Sequence, residues 1–112
     1  MLTLSPSIRI YLCLQPTDMR RGFDRLAALA LEHVGEDPLH GHLFVFRNRR
    51  SNRLKVLYWD RNGYAVWYKR LERGRFSFPS CSDRSITLSP AAFQLLLGGV
   101  MKQTSVSNMM TA

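Results

Sequence analysis

The chain has 112 residues, 46% of them apolar, inside the globular range of about 45–50%, which excludes disorder over most of its length. No apolar run approaches the ~18 residues of a membrane span, and the opening MLTLSPSIRI lacks the long apolar stretch of a signal peptide, so one soluble, intracellular domain is expected. Sixteen Lys and Arg against eight Asp and Glu give a net charge of +8, which bears on partners rather than fold: nucleic acid, an anionic surface or an acidic protein.

Residues 8–14 alternate, with Ile8, Ile10, Leu12 and Leu14 on one face, and read as a half-buried strand that Gln15-Pro16 stops. Thr17 is a good N-cap, and a helix is expected from there to Val34, burying Met19, Phe23, Leu26, Ala30 and Val34. Gly35 suits its C-cap, and Glu36-Asp37-Pro38 cannot continue it. From His42 to Phe78 the period becomes strand-like, with turns at 48–52, Asn62-Gly63 and Arg73-Gly74. A two-residue Asn62-Gly63 loop sets Trp59 opposite Val66 and Lys55 opposite Arg70. A five-residue loop at 48–52 then puts Phe44 and Phe46 on the face of Leu54, Val56 and Tyr58, the expected core. Ile86-Thr87-Leu88 forms a last strand, and Ser89-Pro90 starts a short helix to Leu97. The fold class is α+β: an antiparallel sheet of four to five strands with two helices packed on one face, over residues 1–98. Residues 99–112 are polar and aperiodic and are expected to be disordered.

The charge is localised. Between Arg47 and Arg75 lie ten basic residues and two acidic ones, Asp60 and Glu72, so this stretch carries the whole net +8. Antiparallel pairing brings its first and last turns to the same end of the sheet. Arg47, Arg49, Arg50, Arg53, Arg70, Arg73 and Arg75, assisted by Lys55 and Lys69, therefore form the candidate nucleic-acid-binding set. Arginine suits that task because its planar fork donates two hydrogen bonds to one phosphate. Trp59, Tyr64 and Tyr68 could stack on unpaired bases, although strand aromatics are usually core. Arg20, Arg21 and Arg25 could contact a partner or phosphate, although an Arg20–Asp24 pair is the simpler reading.

Other chemistry is weakly signalled. Cys13 and Cys81 lack CxxC partners and read as reduced thiols, and His33, His40 and His42 have no metal-site spacing, so no metal and no cofactor are expected. The carboxylates are scattered, and there is no P-loop, GxSxG or HExxH. A metal-independent ribonuclease using His40 or His42 beside the arginines is a possible alternative.

The run Thr17-Asp18-Met19-Arg20-Arg21-Gly22-Phe23-Asp24, then Leu26-Ala27-Ala28-Leu29, resembles the opening motif of the TnpB accessory proteins of the insertion sequence 66 family. The stretches from Gly41 to Arg47, Lys55 to Asp60 and Lys69 to Phe76 continue the resemblance, which covers about residues 8 to 98; beyond Gly98 the tail departs from the family's usual end. Such proteins are encoded in bacterial insertion elements beside a separate transposase and are regarded as helpers of transposition with no assigned chemical activity. The resemblance supplies no catalytic residues. It implies a helper that works beside the transposase; together with the basic patch, the reading is a non-enzymatic accessory protein that binds element-end DNA or a transposase–DNA complex, in the cytoplasm and at the nucleoid, and no membrane role is expected because no helix combines a basic face with a strongly apolar one. A protein-only module that docks on the transposase is the other alternative.

Overall fold

The alternating segment near the N-terminus becomes strand β1 (Ile10–Cys13), and the amphipathic segment after it becomes helix α1 (Phe23–Val34). The remaining elements are β2 (Leu43–Arg47), β3 (Arg53–Asp60), β4 (Gly63–Arg70), β5 (Ser85–Leu88) and α2 (Pro90–Gly98). The structure, a computed structural model, describes residues 6–98; the expected disorder of 99–112 lies outside them. The five strands form one sheet in the order β4-β3-β2-β1-β5, giving the expected α+β fold with a mostly antiparallel sheet. One pair is parallel: α1 carries the chain back along the sheet, so β2 starts at the same end as β1.

The helices lie on opposite faces, not on one. Leu26 and Ala30 of α1 pack with Tyr11, Cys13, Phe44, Phe46 and Leu57. Ala92, Phe93, Leu96 and Leu97 of α2 pack with Ile10, Leu12, Val45, Val56 and Leu88. The cause is visible in the central strands. β1 and β2 are buried at consecutive residues, so both faces must be covered, and helices on one face alone would leave the other in water.

Two registers differ from the expected ones. Arg47 pairs with Leu54 rather than with Arg53, which turns β2 over relative to β3 and sends Phe44 and Phe46 to the α1 face. The Asn48 side-chain oxygen accepts from the backbone N–H groups of Asn52 (3.0 Å) and Arg53 (2.9 Å), and Ser51 sits at φ 60°, so the turn absorbs one more residue. At the next hairpin Asp60 pairs with Gly63, so the loop is Arg61-Asn62, with Arg61 at φ 58°. That left-handed arginine costs about 1–2 kcal/mol. The register sets Trp59 edge-on to Tyr64, with centroids 5.1 Å apart, and Leu57 opposite Val66. An aromatic pair contributes about 0.5–1.5 kcal/mol beyond its burial, enough with the Leu57–Val66 contact to balance the strain. The shift is by two residues, so every β4 side chain keeps its expected face.

α1 starts later than its sequence suggests. Thr17 N–H bonds to Arg47 C=O (2.7 Å), and Asp18 accepts from the Arg20 N–H (2.9 Å), which fixes 17–21 as a loop and leaves Phe23 49% exposed. Its C-terminus is as expected: Gly35 at φ 80° donates to the carbonyls of Ala30 and Leu31. Ser89 caps α2, its Oγ accepting from Ala92 N–H at 3.1 Å. Residues 76–78 are not a strand; Phe76 is buried, and its N–H bonds to Ser51 C=O.

Burial pushes the Cys13 thiol up to about 12, whereas Cys81 is exposed. Since the thiolate is the nucleophile, a disulfide reagent at about pH 8 should titrate only Cys81 in the folded protein and reach Cys13 after denaturation. Reaction of both thiols without denaturant would mean that the β1 core opens readily.

Candidate functional site

β1, β2 and β4 end, and β3 and β5 begin, at the same edge of the sheet. The loops 14–22, 48–52 and 71–84 therefore meet there, and backbone bonds join them. Leu71 N–H donates to Asn52 C=O at 2.8 Å, and Phe76 N–H to Ser51 C=O at 2.7 Å. This end gathers Arg47, Arg49, Arg50 and Arg53 with Arg70, Arg73 and Arg75, although the length of the β3–β4 hairpin, residues 54–69, separates the two groups in sequence. Arg20 and Arg21 join them from the 14–22 loop and Arg84 from the end of the 71–84 loop, where its C=O accepts from Leu14 N–H. Sequence reasoning left Arg84 out. Its signal was there: a final strand antiparallel to β1 has to begin at this end.

The cations fall into two groups by what they touch. Three are engaged inside the fold. Arg47 is half-buried; its Nη2 and Nε donate to the Leu14 carbonyl at 2.6 and 3.1 Å, and its Nη1 reaches Ser51 Oγ at 3.3 Å. Its guanidinium also lies 5.1 Å from the Phe78 ring centroid. Desolvation, and secondarily Arg49, lower its affinity for a proton. Lys55 Nζ donates to the carbonyls of Met19 (2.6 Å) and Arg21 (3.0 Å), pinning the loop before α1. Lys69 Nζ donates to Leu97 C=O at 2.7 Å, at the end of α2 where the helix dipole favours a cation.

The others face solvent. Arg49, Arg50, Arg73 and Arg75 are exposed and make no hydrogen bond or ion pair among the described residues. Arg53 donates to Tyr68 Oη at 3.2 Å, and Arg70 pairs with Glu72 at 3.0 Å. Arg20 pairs with Asp18 at 2.8 Å instead of with Asp24. The Arg20 side chain and its N–H hold the Asp18 carboxyl well below the usual carboxylate range. An open cleft of about 540 Å³ runs between the 16–20 segment and the 48–53 loop, with Thr17 and Asp18 on one wall and Arg49, Arg50 and Arg53 on the other. Such a rim offers oxyanions several forked donors.

The histidines do not share this end. His42 precedes β2, its Nδ1 accepting from Arg9 N–H at the opposite edge, so neither it nor the neighbouring His40 stands beside the arginines as the ribonuclease alternative requires. Among the described residues no three His, Cys, Asp or Glu side chains come together as a metal site. No helix there is long and apolar enough to cross a membrane.

The two groups should separate in stability measurements. Arg47→Met removes charge-assisted bonds to a buried strand end and should cost about 2 kcal/mol. Arg49→Ala should stay within about 0.5 kcal/mol of the parent. Urea denaturation of both variants tests this, and equal midpoints would show that Arg47 does not hold the loops together.

The family model for IS66 Orf2-like protein matches residues 8–106, further than the resemblance over about residues 8 to 98. Two proteins of Sinorhizobium fredii (strain NBRC 101917 / NGR234), the uncharacterized proteins y4jC and y4hO, are 41% and 42% identical to it over 100 residues. Each alignment covers 89% of this chain and, respectively, 86% and 87% of the relative. No solved structure matches. A match that takes in every strand and both helices decides the affiliation: the chain belongs to the IS66 Orf2-like protein family.

Proposed function

We propose that this accessory protein of insertion-sequence transposition works without chemistry of its own, by binding DNA at the element ends, free or already held by the transposase. The observation that carries the reading is the meeting of two sequence-distant arginine groups at one end of the sheet, with Arg49, Arg50, Arg73 and Arg75 unpaired among the described residues. Guanidiniums held by rigid turns and lacking internal partners have their forks available for phosphate oxygens. Arg53 and Arg70 extend the set at modest cost, because exposed pairs such as Arg70–Glu72 contribute little and exchange readily. Lys55, Lys69 and Arg47 act one step back: they hold the loops and α2 that present the others, and their charge adds to the local potential. Binding would neutralise phosphates and release counterions, stabilising an assembled protein–DNA complex.

The test is a salt series on duplex DNA of element-end sequence and on a scrambled duplex. Six phosphate contacts, from Arg49, Arg50, Arg53, Arg70, Arg73 and Arg75, predict a slope of log K against log salt near −5. The Arg49→Ala/Arg50→Ala double variant should flatten it by about 2. Preference for the element-end duplex would make the protein a specificity factor, and equal binding a general clamp. Absence of binding to both at ~100 mM salt would overturn the DNA reading and turn attention to an acidic surface of the transposase.

A further inference from the structure

The outer strand β4 leaves one of its aromatic rings half exposed. Tyr68 is 47% exposed at the basic end of the sheet. The other aromatics of β3 and β4 are engaged elsewhere. Trp59 and Tyr64 pack edge-on against each other, while Tyr58 and Trp67 point to the α2 face and pack on its core. Tyr68 is therefore the most exposed of the three candidate stacking residues.

The ring is also fixed. Lys55 Nζ lies 4.9 Å from its centroid, and that ammonium is itself tied to the Met19 and Arg21 carbonyls. Arg53 Nη1 holds the phenolic oxygen at 3.2 Å. A ring oriented in advance loses little freedom when a flat partner settles on it. Beside it, Arg53 and Arg70 are directly paired across β3 and β4, and with Tyr68 and Glu72 they line an open depression of about 400 Å³. An aromatic platform flanked by forked cations is the pattern that takes unpaired nucleotides, the ring receiving the base and the guanidiniums the phosphates on either side.

We infer that Tyr68 is a stacking platform for an unpaired base of single-stranded DNA, with Arg53 and Arg70 on the adjoining phosphates. The inference rests on the phosphate-binding reading of the same end and adds a class of substrate to it. The protein prefers a single strand, or the unpaired part of an opened end, over intact duplex, because bases stacked inside a duplex cannot reach the ring. On binding, Arg70 exchanges the exposed Glu72 carboxylate for a phosphate.

Fluorescence anisotropy of the full chain with a labelled thymine-rich single strand, and with a duplex of mixed sequence, tests this in ~100 mM salt. Tyr68→Leu keeps apolar bulk on the strand, and Tyr68→Phe keeps the ring. Tyr68→Leu should weaken single-strand binding about tenfold, leave duplex binding and both salt slopes unchanged, and be rescued by Tyr68→Phe. Tyr68→Leu binding the single strand as the parent does, or weakening both ligands equally, overturns the stacking role and leaves the phosphate reading standing. If the parent binds neither ligand, both readings fall. Should Tyr68→Leu lose its folded circular dichroism, a comparison of Tyr68→Phe with Tyr68→Trp decides: stacking predicts tighter single-strand binding by the larger ring, and equal binding overturns it.

Discussion

Ile10, Leu12 and Val45 face α2 while Tyr11, Cys13, Phe44 and Phe46 face α1, so the two central strands have no side left on which a charge could stand. The charged residues of a chain of net charge +8 are displaced to the ends of the sheet, the β3–β4 hairpin, the outer side of α1 and the loops. A sheet covered on one face only would have let arginines spread over the other. Here, desolvating an unpaired guanidinium against either layer would cost several kcal/mol. The concentration of arginine at one end thus follows from how the hydrophobic residues are distributed, and the hairpin topology decides which arginines meet.

Within that cluster, position along the strand decides what a cation does. Arg47 is the last residue of β2, close enough to the sheet for its fork to close on the final carbonyl of β1's extension at Leu14. Arg49 and Arg50, two and three residues further, project from the turn with nothing in the described fold to hold them. Lys55 and Lys69 stand on opposite faces of the same hairpin, and each satisfies carbonyls of the neighbouring layer: the loop before α1 for Lys55 and the end of α2 for Lys69. The basic residues thus form an inner frame and an outer rim, and within the rim Arg49, Arg50, Arg73 and Arg75 make no hydrogen bond or ion pair among the described residues.

Much of the architecture was legible in the sequence. The strands, α1's C-cap at Gly35, the Ser89 cap of α2 and the meeting of the 48–52 and 72–75 turns all rest on local signals that tertiary contacts did not override. Two of the departures share one cause. Binary patterning assigns a face only when the other face is wet, and Leu-Phe-Val-Phe in β2 is apolar at every position, so a one-residue slip against β3 costs no burial and leaves no trace in the pattern. The slip was decided by the Asn48 carboxamide, a side-chain bond that no periodicity encodes. The same double-sided burial hid the second helix layer. The late start of α1 has another origin: Asp18 satisfies Arg20 N–H as an N-cap would, but in a turn one step earlier, and Lys55, far along the chain, holds the carbonyls that a longer helix would have used.

The candidate site divides along the same line. Which arginines cluster could be read from the order of strands and turns, but which of them are free could not, because that depends on carbonyls left over at Leu14, Met19, Arg21 and Leu97. Tyr68 illustrates the point from the aromatic side. Its strand position alone makes it a core residue, and Tyr64 and Trp59, with the same credentials, are engaged with each other. The difference is that β4 is an outer strand whose Tyr64 and Val66 pack against the core under α1, whereas Tyr68, further along the strand, is outside that cluster. The ring is left open where the arginines are densest. On the proposed reading, a polyanion drawn there by charge would meet a ring already oriented by two cations, and a purely electrostatic contact would gain a preference for nucleotides whose bases are not already stacked.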